Sequence, residues 1–246
     1  VQLTLLLLAL GFYTRVPVPK QQDYNQLPKA TVYLPVVGWL VGAVTALSCY
    51  LADAIWPSPV AVILALSVGI FLTGAFHEDG FADVCDGFGG GYTKTRILAI
   101  MKDSYIGVYG TVGLIVLFAL KISLLSTQGQ SAPLLLFVGH SLSRLPPLLL
   151  MHRYEYARVD NSKVAAVVYK PNTQDVLFAS VCAVAPMLCL PLGCLVAVIP
   201  MYLVNSLLGR YFYRHIGGYT GDCLGASQQV AEVVFYLSVS ALWTFI

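Results

Sequence analysis

The stretch His77-Glu78-Asp79-Gly80-Phe81-Ala82-Asp83-Val84-Cys85-Asp86-Gly87 decides how the rest of the chain is read. The run before it, residues 60–76, has no charged side chain, and Gly89-Gly90-Gly91 follow shortly after it. An apolar segment thus ends where acids begin. Asp79, Asp83 and Asp86 stand at i, i+4 and i+7, which places three carboxylates on one stripe of a helix. Carboxylates stacked this way repel one another, and no basic residue is interleaved. A bland reading makes them solvated acids at a helix end, and for a single Asp that reading would win. Three on one stripe beside an apolar run call for a hard cation, Mg²⁺ or Mn²⁺, bound together with substrate phosphates. Gly80 and Gly87 leave room for a phosphate or a second helix to approach the backbone.

Outward from that stretch the chain is apolar. Hydrophobic residues make up 58% of the 246 and charged ones 11%, against about 45–50% and about 25% in a soluble domain. So few charges leave too little polar surface for water, whereas a bilayer calls for an apolar one. Runs near the ~20 residues needed to cross a bilayer fall at 31–51, 60–76, 107–126, 132–151, 176–190, 192–208 and 229–246. The expected fold is therefore all-α: a polytopic membrane helix bundle, 1–246 as one catalytic domain with no linker or repeat. It has about seven spans, preceded by a short N-terminal segment, residues 1–13. That segment is read as an interfacial helix, or as an eighth span that starts further upstream. It lacks the basic start and cleavage site of a signal peptide, and the absence of a leading Met suggests that a few residues precede Val1.

The basic residues set the orientation. Arg15, Lys20, Lys29, Lys94, Arg96, Lys102, Arg153, Arg158, Lys163, Lys170, Arg210 and Arg214 lie in alternate connections, while the turns around 53–59, 127–131 and 190–191 have no Lys or Arg. By the positive-inside rule the long loops are cytoplasmic, and the chemistry sits on the cytoplasmic face of the cell inner membrane. Net charge of +2 gives no reason to expect a nucleic-acid partner. The six cysteines form no C-x-x-C pair and no zinc spacing. A membrane chain of this size is compatible with a homo-oligomer, but no interface is diagnostic.

Further candidates lie on the same side. Asp103 is the natural fourth carboxylate, at the foot of the span 107–126, or else an N-cap for it; Ser104 stands beside it. The loop Gly217-Gly218-Tyr219-Thr220-Gly221-Asp222 precedes the last span, and its amides suit phosphate oxygens. Arg15 and Arg144 are candidate diphosphate ligands, Arg144 because a charge within an apolar span is costly unless paired. Lys121 raises the same question, although its long stem can snorkel. Arg153 and Arg158 read as ordinary inside positives. His77 is a candidate substrate contact, against the commoner role of a helix-end hydrogen-bonding residue.

Three segments also carry a resemblance. Phe12-Tyr13-Thr14-Arg15-Val16-Pro17-Val18-Pro19, the acidic stretch with Met101-Lys102-Asp103-Ser104 and Gly107, and Gly218-Tyr219-Thr220-Gly221-Asp222-Cys223-Leu224-Gly225-Ala226 resemble signatures of the cobalamin-5'-phosphate synthase (adenosylcobinamide-GDP ribazoletransferase) family. The match runs from end to end and in order. The resemblance implies a Mg²⁺-dependent enzyme of late coenzyme B12 assembly. Its reaction joins adenosylcobinamide-GDP to α-ribazole or its 5'-phosphate and releases GMP. Read from the residues themselves, Asp79, Asp83, Asp86 and Asp103 are the expected Mg²⁺ ligands, with Asp103 or Asp86 as proton acceptor. Arg15, His77, Gly80, Gly87, Ser104, Arg144, Thr220, Gly221 and Asp222 would contact substrate.

Two rivals follow from the same residues. Asp83-Val84-Cys85-Asp86-Gly87 is similar to the D-x2-D-G opening of CDP-alcohol phosphotransferases, which make phospholipids. Gly90-Gly91 stand where that family has Ala-Arg, which argues against it. A divalent-cation transporter would place its acids near mid-membrane, whereas here they cluster at the ends of the spans.

Overall fold

The computed structural model describes residues 2–19, 24–158 and 169–244; Lys20 and Lys163 lie outside them. Its helices, in chain order, are α1 (Gln2–Tyr13), α2 (Leu27–Ala30), α3 (Leu34–Asp53), α4 (Ser58–Thr73), α5 (Phe76–Gly90), α6 (Lys94–Ile100), α7 (Val108–Ser126), α8 (Ala132–Leu142), α9 (Leu145–Arg153), α10 (Thr173–Val184), α11 (Val198–Ile216) and α12 (Gly221–Thr244). Among the described residues there is no strand, only a single parallel bridge between Tyr156 and Tyr219. The chain is the all-α membrane helix bundle that its apolar runs predict.

Four segments are long and apolar enough to cross a bilayer: Leu27–Asp53, Val108–Ser126, Gly129–Arg153 and Leu192–Ile216. A fifth exists if α4 and α5 count as one broken span. The expected count of about seven is therefore not reproduced by length and composition. The run at 176–190 belongs to a shorter apolar helix, Thr173–Cys189, and the N-terminal helix is only 12 residues long. The last helix starts upstream of the expected span, at Gly221, and carries polar Gln228, Gln229 and Glu232 within it.

Local sequence explains the helix starts. Proline occupies the first turn of α3, α4, α8 and α9, where its missing N–H costs nothing. A capping box between Asn172 and Asp175 opens α10. Gly129–Arg153 is the most enclosed span, 83% buried. Its α8 packs against α3 through Gly38 and Gly42, where an added Cβ would strike the His140 and Phe137 carbonyls. Small residues four apart let two membrane helices approach backbone to backbone. The main core gathers Leu66, Leu135, Leu136, Phe235 and Tyr236 around this pair.

Two residues place the acidic stretch. Gly74 and Ala75 are both left-handed (φ 71 and 60), and they turn α5 away from α4 by 92°. Gly74 adopts that conformation freely, whereas for Ala75 it costs roughly 1–2 kcal/mol. The acids thus form a separate 15-residue helix, too short to cross a bilayer by itself.

Inside the bundle lies a polar network. Lys121 of α7 and Glu232 of α12 pair at 3.0 Å, each almost fully buried. Lys121 Nζ also donates to Gln229 Oε1 (2.7 Å), and Gln229 Nε2 donates to Glu78 Oε1 (2.9 Å). Glu232 accepts from Gln228 Nε2 (2.9 Å) and Tyr236 Oη (3.1 Å). Arg144, 1% exposed, donates Nη1 to the His140 carbonyl at 2.6 Å. Glu78 Oε2, His140 Nε2 and Arg144 Nε have no protein partner, and all three residues line one cavity of about 10 Å³. That is room for about one water.

Candidate active site

The polar face of α5 meets the start of α12. Gly80 makes this contact possible: a Cβ there would lie 3.0 Å from both Cα and the carbonyl oxygen of Asp222. Gly225 does the same against the His77 carbonyl, also 3.0 Å from an added Cβ. Gly87 admits the Met101 side chain, whose Cγ would lie 2.7 Å from an added Cβ. The two glycines of the acidic stretch thus serve helix packing, the second of the two roles expected of them.

The result is a cluster of Asp79, Asp83 and Asp222, and among the described residues Arg158 is the cation bonded to it. Arg158 Nη2 donates to Asp222 Oδ2 at 2.8 Å. Burial pushes the Asp83 carboxyl up to about 7, with further contributions from the negative charges of Asp222 and Asp79. Asp222 is also raised, because loss of hydration outweighs the help it receives from Arg158 and Thr220. Among the described residues the cluster carries more negative charge than its bonded arginine offsets. Among the described residues no three His, Cys, Asp or Glu side chains form a ready chelate. That donor set still suits Mg²⁺, which is commonly held by one or two carboxylates with substrate phosphates and water completing its shell.

Several expected residues have other tasks. Both oxygens of Asp86 are occupied: Oδ2 accepts from Gly107 N at 2.7 Å and Oδ1 from Gly110 N at 2.9 Å. It is 8% exposed and caps the start of α7, where a carboxylate complements the helix dipole. Asp86, expected as a metal ligand and proton acceptor, is thus placed at the start of α7 rather than beside Asp222. Asp103 is exposed and takes the amide of Tyr105 at 3.2 Å in a local turn. The N-cap of α7 is Gly107. Ser104 is exposed in the same loop. Thr220, fully buried, accepts from Cys223 N at 3.3 Å and so starts α12. Gly221 is exposed with open space around it.

The basic candidates also separate. Arg144 belongs to the interior network, too enclosed to reach a substrate at the acidic face. Arg15 lies at the bend, its guanidinium against Gly74 and its amide on the Leu72 carbonyl at 2.7 Å. Arg158, read from sequence as a topology residue, is the cation at the site. It reaches there because residues 155–157 pair with Tyr219: Ala157 N donates to the Tyr219 carbonyl (2.8 Å) and Tyr219 N to the Glu155 carbonyl (3.0 Å). The sequence holds no signal for that pairing, which joins segments about sixty residues apart. His77 is buried and stacked with Tyr13 at 6.4 Å.

Comparison with known proteins places this arrangement. The family model described as cobalamin-5-phosphate synthase matches residues 5–240. An adenosylcobinamide-GDP ribazoletransferase of Shewanella amazonensis is 43% identical over 254 aligned residues, covering 99% of this chain and 97% of that protein. Proteins of the same name from Shewanella frigidimarina (41%; 98% and 95% covered) and Ralstonia nicotianae (39%; 96% and 94% covered) are similar along nearly their whole length. No solved structure matches. With an acidic helix facing a second acid on α12 and a full-length match of this kind, the chain belongs to the cobalamin-5-phosphate synthase family, and it is an enzyme of cobalamin synthesis.

Proposed function

We propose that this enzyme transfers the cobinamide-phosphate group of adenosylcobinamide-GDP to α-ribazole or α-ribazole 5'-phosphate. The products are adenosylcobalamin or its 5'-phosphate, and GMP. The observation that carries the reading is the cluster of Asp79, Asp83 and Asp222, whose negative charge exceeds the positive charge of Arg158 among the described residues. Such a cluster suits a diphosphate bound together with Mg²⁺, and the substrate is the one in the names of its relatives.

Mg²⁺, when bound by these carboxylates and the diphosphate, would offset negative charge on the phosphates and on the departing GMP. The remaining work falls to the chain. Asp79, Asp83 and Asp222 converge from two helices that Gly80 lets touch. Arg158, tied to Asp222, presents a planar guanidinium to phosphate oxygens. The ribazole 3'-hydroxyl attacks the phosphorus bonded to cobinamide, the new O–P bond forming as the bond to the GMP oxygen breaks. The hydroxyl proton passes to a carboxylate of the cluster. The segregation of basic residues into alternate loops supports a site on the cytoplasmic side of the inner membrane.

The test is turnover by purified protein in lipid, given adenosylcobinamide-GDP and α-ribazole with and without Mg²⁺. The expected result is metal-dependent GMP release with a cobalamin product. Turnover of a CDP-alcohol substrate in its place would overturn the reading in favour of phospholipid synthesis.

A further inference from the structure

The three segments that carry the family resemblance are far apart in sequence, and they meet at one pocket. Phe12 and Tyr13 come from the first, Phe76 and His77 adjoin or belong to the second, and Gly221, Leu224 and Gly225 come from the third. Leu27, Thr31, Leu34 and Pro147 complete a cavity of about 230 Å³. Its wall is aromatic: Phe12–Phe76 and Tyr13–Phe76 lie edge to face at 5.5 and 5.7 Å, and His77 lies near parallel to Tyr13. The pocket and the acidic cluster are built on the same two helices, α5 and α12. Gly221 precedes Asp222, and His77 is two residues from Asp79.

Building on the proposed reaction, we infer that this pocket receives the base of the acceptor nucleoside, the benzimidazole of ribazole. Size excludes the corrin ring, since drug-sized ligands already need about 300–1,000 Å³. Chemistry excludes guanine, whose several donors and acceptors would be stripped of water among leucines and prolines at a cost of about 1–3 kcal/mol each. A benzimidazole is a flat bicycle with methyl groups and no ring N–H once joined to ribose. Aromatic edges and faces are its natural partners. With the base seated here, its ribose would point across Gly221 toward the carboxylates, where the attacking hydroxyl is needed.

The test is kinetics in lipid nanodiscs on two variants, Leu224→Trp, which fills the pocket, and Phe76→Ala, which removes a wall. Each is checked by thermal unfolding. Leu224→Trp is expected to raise KM for α-ribazole at least tenfold and leave KM for adenosylcobinamide-GDP unchanged; Phe76→Ala is expected to give a smaller rise of the same kind. Direct titration of α-ribazole onto unmodified protein, followed by the fluorescence of its base, is expected to show saturable binding that Leu224→Trp abolishes. Unaltered ribazole KM in a folded Leu224→Trp protein overturns the assignment. So does a shift of both KM values together, or a variant effect that depends only on the acyl-chain length of the lipid. The titration keeps the two claims apart: saturable, Leu224-dependent binding without turnover would sink the proposed reaction and leave the pocket standing.

Discussion

Two polar clusters share α5 and α12, and they are built on opposite principles. In the interior, Lys121 and Arg144 face Glu78 and Glu232, so formal charge balances, and hydrogen bonds tie each of the four to a neighbour. Where α5 meets the start of α12, Asp79, Asp83 and Asp222 face Arg158 alone among the described basic residues bonded there, and burial raises Asp83 and Asp222. Out of water, balanced charge holds helices together, because separating a buried pair leaves an uncompensated ion. Unbalanced charge does the reverse and is tolerated where a ligand completes it. The imbalance therefore marks the site, and the balanced cluster marks what positions it. Gln229 joins them, since it donates to Glu78 one residue before Asp79.

That contrast is open to experiment. The largest expected effect is on turnover: Asp83→Asn should lower it by about a hundredfold or more, the scale of losing a charged group that stabilises a transition state. Its melting temperature should hold or rise, because the substitution removes a repulsion. A fully active Asp83→Asn enzyme with unchanged Mg²⁺ dependence would remove the cluster from the mechanism. Lys121→Met should behave oppositely, costing about 3–5 kcal/mol of stability by stranding Glu232, as read by thermal unfolding in detergent. Stability within about 1 kcal/mol of the parent would mean that the interior charges are not coupled.

Asp86→Asn separates capping from catalysis. Loss of a charged acceptor for two amides should cost about 1.5–3 kcal/mol, with turnover falling only as far as the fold does. A large loss of activity in a stable Asp86→Asn protein would return that residue to the metal site. Smaller still is the response to pH. The folded value of Asp83, about 7, lies above the ordinary 3.8, so the fold holds that proton more tightly than the unfolded chain does. Metal-free stability should then fall as pH rises from 3.8 to about 7. Added Mg²⁺ should restore it above that range, where the carboxylate is free to bind, and affinity for Mg²⁺ should weaken as pH drops below about 7. Equal melting temperatures with and without metal across this range would count against the ion. Last, Ala75→Gly should relieve about 1 kcal/mol of backbone strain at the bend, a modest gain that differential scanning would register.

Glu232 is an acid fully buried within α12, and its partners Lys121, Gln228 and Tyr236 occupy it, unlike the open acid that a cation pathway would need.

Much was legible in the residues alone. Low charge and long apolar runs require a lipid-facing helix bundle whatever the packing, because hydration of polar groups is a property of composition. The i, i+4, i+7 spacing of Asp79, Asp83 and Asp86 likewise determined that α5 is acidic along one side. Which of these acids remain free was decided by tertiary structure. Asp86 turned to the amides of Gly107 and Gly110, Asp103 stayed in its own loop, and Asp222 at the start of α12 and Arg158 in the segment after α9 arrived from positions remote in sequence. The 92° bend at Gly74 and Ala75 and the helix contact at Gly80 make those choices. The reason is physical: spacing along a helix is a local property that sequence states directly, while the partner of a carboxylate depends on which distant backbone comes within hydrogen-bonding distance of it.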